Sequence, residues 1–150
     1  MRARRGVAVT YLLDVNVLIA LTHPGHVHHN AAHAWMDTVG AWATTPITES
    51  GFVRLLMNPR IAGREVTGAE AIELLRGVRG RDGHSFIGDE SSLADAAIGL
   101  DMLVGTKQVT DLHLVNLAKI NELVFATFDG RIVQWLSAEE RAGVEVIAAV

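Results

Sequence analysis

The chain has 150 residues, of which 49% are apolar and none is cysteine, and a formal net charge of −4. That length fits one domain with a proper core. The missing cysteines exclude a disulfide framework and any thiolate metal site, and the acidity excludes a general nucleic-acid coat, which is ordinarily basic. No apolar run approaches a membrane span. No long apolar leader segment follows the basic start Met1-Arg2-Ala3-Arg4-Arg5-Gly6, so a soluble cytoplasmic protein is expected, with residues 1–8 a flexible basic tail.

In chain order, Val9 to Leu13 reads as a short buried strand ending at Asp14, and Val15 to Leu21 as a short buried helix stopped by His23-Pro24-Gly25. Ala31, Ala32, Trp35, Met36 and Val39 recur at helical spacing, which predicts a second helix over His28 to Val39. A short strand over Ala41 to Thr45 is followed by Thr45 as N-cap and Pro46 at the first helical position. In that helix Glu49, Phe52, Val53 and Leu56 share one face, so Glu49 stands on the apolar stripe. Thr67-Gly68-Ala69-Glu70 has the form of a capping box opening a helix to about Val78. Gly77, Gly80 and Gly83, interleaved with Arg76, Arg79 and Arg81, predict a basic turn region.

Further on, His84 to Ile87 is expected as a strand and Leu93 to Val104 as a helix. Thr110 is expected to cap a helix through Asn121, placing Asp111 in its first turn, where the helix dipole favours an anion. Leu123 to Ala126 and Val144 to Ala148 read as the last two strands. Strands alternating with helices predict a three-layer α/β domain with a mainly parallel sheet. Ligands collect at the carboxyl ends of such strands, where Asp14 and Asp129 fall.

Four carboxylates sit inside apolar stretches: Asp14, Glu49 in Ile47-Thr48-Glu49-Ser50-Gly51-Phe52, Asp111 in Val109-Thr110-Asp111-Leu112, and Asp129 after Phe125-Ala126-Thr127-Phe128. A buried carboxylate needs a partner or a metal. Gathered in one cleft, two such charges about 5 Å apart repel by roughly 3 kcal/mol at an effective dielectric of about 20. Hard cations such as Mg²⁺ or Mn²⁺ relieve that repulsion through oxygen ligands and suit phosphodiester chemistry. Setting these four apart from the 17 acidic residues leaves 13, equal to the 13 Lys plus Arg, so the remaining surface does not repel RNA.

Each acid also has a plain structural reading: a helix cap for Asp14, dipole compensation for Asp111, a buried pair with an arginine for Glu49, and a turn acid for Asp129. His23, His26, His28, His29 and His33 invite a zinc reading. Only His29 and His33 have the i, i+4 spacing, however, and no acid of the required motif lies between them, so helix-surface and loop roles are preferred. Trp35, Trp42 and Trp135 read as core or interface packing, while Arg54 and Arg60 are candidates for contacts to RNA phosphates.

Leu12-Leu13-Asp14-Val15-Asn16-Val17-Leu18-Ile19-Ala20, Thr48-Glu49, Val109-Thr110-Asp111 and Ala126-Thr127-Phe128-Asp129 resemble, in order and spacing, the four acidic motifs of PIN-domain ribonucleases, most closely the VapC toxins of type II toxin–antitoxin systems. His23-Pro24-Gly25-His26 and Met57-Asn58-Pro59-Arg60 resemble secondary signatures of actinobacterial-type members. The resemblance implies a single PIN domain over 1–150 and an endoribonuclease dependent on Mg²⁺ or Mn²⁺, usually homodimeric and inhibited by a cognate antitoxin. It makes Asp14 and Asp111 the principal metal ligands. Glu49 and Asp129 complete the acidic site directly or through water, and Asn16 and Thr127 support it. The segment from Arg64 to Ser92 matches the family least, which points to substrate or partner choice there.

Two rival readings follow from the same residues. A catalytically inactive PIN-like module would bind RNA or protein without cutting, but it would gain nothing from a repulsive cluster of acids. A phosphoryl-accepting receiver domain wants paired acids near the first strand and a lysine near a late one, whereas this chain has Asp14-Val15-Asn16 and only Lys107 and Lys119.

Overall fold

The computed structural model describes residues 8–149, so the expected basic tail, with Arg2, Arg4 and Arg5, lies outside the described residues apart from Ala8. Five short parallel strands, β1 (Thr10–Leu13), β2 (Ala41–Thr44), β3 (His84–Phe86), β4 (Val124–Thr127) and β5 (Val144–Val146), form one sheet in the order β3-β2-β1-β4-β5. Alternation along the strands divides the core in two. Leu13, Trp42 and Ala126 face one apolar cluster, while their chain neighbours Leu12, Ala43 and Phe125 face the other.

Helices α1 (Val15–Thr22), α2 (His29–Met36), α3 (Pro46–Leu56) and α5 (Gly68–Arg79) contribute to the first cluster; α6 (Val109–Ile120) contributes to the second. Two short helices, α4 (Pro59–Ala62) and α7 (Ala138–Arg141), complete the set. The expected three-layer α/β/α architecture is thus present, with an all-parallel sheet.

Three local expectations are corrected. Leu93 to Val104 is not a helix: only Leu93–Asp95 forms a 3₁₀ turn. The stretch instead hands its backbone groups to side chains. Ala97 N–H donates to the buried Asn116, Gly99 N–H to Glu140, and the Met102 carbonyl accepts from Gln108. Thr110 does not cap α6, which starts at Val109 behind a 3₁₀ turn over Thr106–Gln108. Finally, α5 runs on to Arg79, so Arg76, Gly77 and Arg79 are helical and the turn is confined to Gly80 to Gly83.

That turn depends on Gly83. Its φ is +86°, and a Cβ there would lie 2.2 Å from the carbonyl oxygen of Gly40. Gly83→Ala adds left-handed strain of about 1–3 kcal/mol to a backbone clash, so a clear fall in the urea midpoint is expected. An unchanged midpoint would show that the β2–β3 approach tolerates a side chain.

The paired histidines of α2 also have a structural role. His29 Nδ1 lies 2.7 Å from the Ala20 carbonyl oxygen and His33 Nε2 lies 2.8 Å from that of Leu21. A carbonyl only accepts, so each ring nitrogen carries the proton and satisfies an otherwise open carbonyl at the end of α1. His33→Ala should cost about 1 kcal/mol in urea unfolding and leave cleavage unchanged; loss of cleavage at full stability would reinstate a functional histidine.

Candidate active site

The parallel sheet brings the ends of β1 and β4 side by side, with Leu13 in register with Ala126. The next residue, Asp14, is buried and leads into α1, with its Oδ1 accepting the Val15 N–H at 2.7 Å. Its Oδ2 accepts the Thr127 hydroxyl at 2.7 Å. That hydroxyl in turn accepts from Asn16 Nδ2 at 3.1 Å and from the Asp129 N–H at 3.0 Å, so it is fully used. Asn16 Oδ1 takes the Phe128 N–H at 3.2 Å, closing a lattice that locks β4 to the start of α1. Asn16 and Thr127 therefore hold Asp14 in one orientation. Burial raises the Asp14 pKa; the bonds from Thr127 and Val15 oppose that rise, and Asp129 adds to it.

Asp111 comes from the first turn of α6, half-buried, and is pushed up to about 7, first by burial and then by the charges of Asp14 and Asp129. Asp129, at the end of β4, is held in the opposite direction by a fork from Arg131, whose Nη2 and Nε lie 2.8 and 3.0 Å from its two oxygens. Asp14, Asp111 and Asp129, from three segments, thus lie near enough at the carboxyl edge of the sheet for their charges to act on one another, and Thr127 and Asn16 are bonded into the same edge.

The donors are all oxygen, and a hard cation would offset both the burial of Asp111 and its repulsion by Asp14 and Asp129, so the chemistry fits Mg²⁺ or Mn²⁺. Among the described residues no three acidic or imidazole side chains form a ready-made cage.

Glu49 stands apart from this group. Its Oε2 accepts the Thr44 hydroxyl at 2.6 Å and its Oε1 lies 3.5 Å from Nη1 of Arg79. His84 Nε2 sits 2.7 Å from the same hydroxyl. Since Thr44 gives its only proton to Glu49, His84 is the donor there. The pair with an arginine that the sequence allowed for Glu49 is present, with the carboxylate side chain only 12% exposed. Arg54 and Arg60 are exposed and make no ion pair among the described residues.

Sequence reasoning missed Arg131, although Asp129-Gly130-Arg131 carried the signal locally. It also missed the grouping of Arg79 and His84 around Glu49, which no local spacing reveals because β3 must pair with β2 to make it.

Acidic oxygen donors at the carboxyl edge of a parallel three-layer domain suit the chemistry of phosphate esters. A PIN domain model matches residues 11–135 of the chain. The chain is similar to ribonuclease VapC38 of Mycobacterium tuberculosis, 38% identical over 139 residues, which cover 91% of this chain and 96% of that protein. It is also similar to ribonuclease VapC39 of Mycobacterium tuberculosis, 41% identical over 133 residues, covering 87% and 96%. The crystal structure of Mycobacterium tuberculosis VapC20, a sarcin–ricin loop cleaving toxin, superposes with a TM-score of 0.55 at 12% identity over 83% of this chain and 93% of that one, a likeness of fold. The chain belongs to the PIN-domain family, and within it to the VapC ribonucleases. No helix among the described residues is long and apolar enough to cross a membrane.

Proposed function

We propose that the protein is the toxin of a type II toxin–antitoxin pair, a cytoplasmic endoribonuclease that cuts RNA with Mg²⁺ or Mn²⁺ held at Asp14 and Asp111. The observation that carries this reading is the convergence of Asp14, Asp111 and Asp129, with Asp111 raised to about 7 by burial and by the charges of the other two. A bound ion supplies an activated water and charge stabilisation at the scissile phosphate.

The chain's own residues do the rest. Thr127 and Asn16 fix the Asp14 carboxylate so that it need not reorganise on binding. Arg131 holds Asp129 ionised at the exposed side of the cleft, where it can orient a water. Glu49, held by Thr44 and Arg79, acts at the outer end of the acidic row through water rather than directly. In-line attack by water leaves a 5′-phosphate and a 3′-hydroxyl.

A homodimer and a cognate antitoxin are the expected partners. Exposed Met57 just after α3, Ile61 on α4 and Ile72 on α5 offer apolar surface for either. The decisive experiment incubates purified protein with RNA in Mn²⁺, in EDTA, and with the product of the adjacent antitoxin gene. Cutting only in metal, and suppression by the antitoxin, are expected. RNA binding without cutting in any metal would leave the inactive binding module as the correct reading.

A further inference from the structure

The edge strand β3 ends on Phe86, whose side chain is 46% exposed and belongs to neither apolar cluster. Register sets Phe86 opposite Thr44 in β2, and Leu12 opposite Ala43, so Phe86 stands level with Leu13, one residue before Asp14. It therefore lies on the same carboxyl edge as the aspartates. Strand β3 is two places from β1, about 10 Å at the usual strand spacing. The nucleotide next to a scissile bond, or the one beyond it, can bridge that distance.

A second feature makes this ring more than a stray apolar residue. Arg79, the last residue of α5, holds its guanidinium carbon 5.1 Å from the Phe86 ring centroid. The same guanidinium is tied to Glu49, which is tied through Thr44 to His84. The cation is thus fastened from the side of the sheet, beside an aromatic ring that stays open to solvent. Unpaired bases are bound by stacking on aromatic rings, and their phosphates by arginine. At the other end of the acidic row Arg131 plays the matching part beside Asp129, so a cation flanks the aspartates on each side.

We propose that Phe86 and Arg79 form a subsite for a nucleotide flanking the scissile phosphate, its base stacked on the open part of the Phe86 ring and its phosphate facing Arg79. The subsite takes single-stranded RNA, because in a duplex the faces of each base are already covered by its stacked neighbours. It rests on the endoribonuclease reading and adds the means by which the substrate strand is laid across the aspartates.

Steady-state cleavage of an unstructured fluorogenic RNA in Mn²⁺ by the wild type and by Phe86→Ala, Phe86→Leu and Phe86→Tyr tests it. Phe86→Ala should raise KM about tenfold, the scale of one lost stacked base, with kcat nearly unchanged. Its melting temperature should stay with the wild type, since the ring packs in neither cluster. Phe86→Tyr should restore KM and Phe86→Leu should not. An unchanged KM in Phe86→Ala, or equal rescue by Leu, overturns the subsite while leaving the nuclease intact. So does an effect confined to dimer sedimentation or antitoxin binding, which would make the ring a protein interface. A folded wild type that cuts no RNA removes the nuclease reading and the subsite with it.

Discussion

Asp14→Asn and Asp111→Asn should each lower RNA cleavage by about a thousandfold or more, the scale set by losing several kcal/mol of metal-dependent transition-state stabilisation. Neither should unfold the protein. Asn at position 14 keeps an oxygen to accept the Val15 N–H, so the start of α1 stays capped. What it loses is the charge and the acceptor for the Thr127 proton. At position 111 the change removes a charge whose protonated form the native state already favours, owing to burial and the neighbouring aspartates. Stability above neutral pH should therefore rise. Cleavage of an RNA substrate at saturating Mg²⁺, with urea midpoints measured alongside, separates the two effects. A near wild-type rate in either variant would remove that aspartate from the metal site.

The strands and most helices were legible because the signals were local. Thr45-Pro46 and Thr67 with Glu70 mark the two helix starts; Thr67 accepts the Glu70 N–H, whereas at Thr45 it is the Thr48 hydroxyl that bonds back to the cap's N–H. The apolar runs before Asp14 and Asp129 are strands buried on both faces, as parallel packing requires. Leu93 to Val104 misled because its composition suits a helix while its backbone partners lie elsewhere. Asn116 sits 19 positions from the N–H it accepts and Glu140 sits 41, and neither is visible in a local window. The start of α6 misled for a similar reason: Gln108 turns back to accept from the Val104 and Gly105 N–H groups, ordering the turn ahead of the helix.

At the site, the residue types and their place at strand ends were readable, but the division of labour was not. Four acids in apolar stretches look alike in one dimension. In the folded chain Asp14 is held by a hydroxyl and an amide and Asp129 by a guanidinium, while Asp111 is perturbed first by burial and then by the charges of Asp14 and Asp129. Glu49 is held by Thr44 at the end of β2 and Arg79 at the end of α5. Those differences come from which strands are neighbours, and the order β3-β2-β1-β4-β5 places Glu49 on one side of Asp14 and Asp129 on the other.

Metal should stabilise the native protein, and the effect should depend on pH with a sign fixed by Asp111. Its pKa rises from the ordinary 3.8 to about 7 on folding. A raised folded value gives a contribution fully present below the unfolded value and lost as pH rises through the folded one. In EDTA, Asp111 therefore favours the native state in mild acid and burdens it above about pH 7. Asp129 works the other way, because Arg131 lowers its folded value and its contribution fades as pH falls. The Asp111 part is read as the difference between wild type and Asp111→Asn, with the variant's advantage growing from about pH 5 to about pH 8.

Adding Mn²⁺ at about pH 8 should cancel that burden, stabilising the wild type by about 2.7 kcal/mol at a hundredfold excess over Kd. The gain should shrink as protons compete for the same carboxylates. Asp14→Asn should show little of it if Asp14 is the principal ligand proposed. Melting temperatures across this range, with Mn²⁺ and with EDTA, decide the matter. A wild-type curve indifferent to Mn²⁺ at about pH 8, together with no metal-dependent cleavage, would mean that the three aspartates hold no ion and that the chain binds RNA or protein without cutting it.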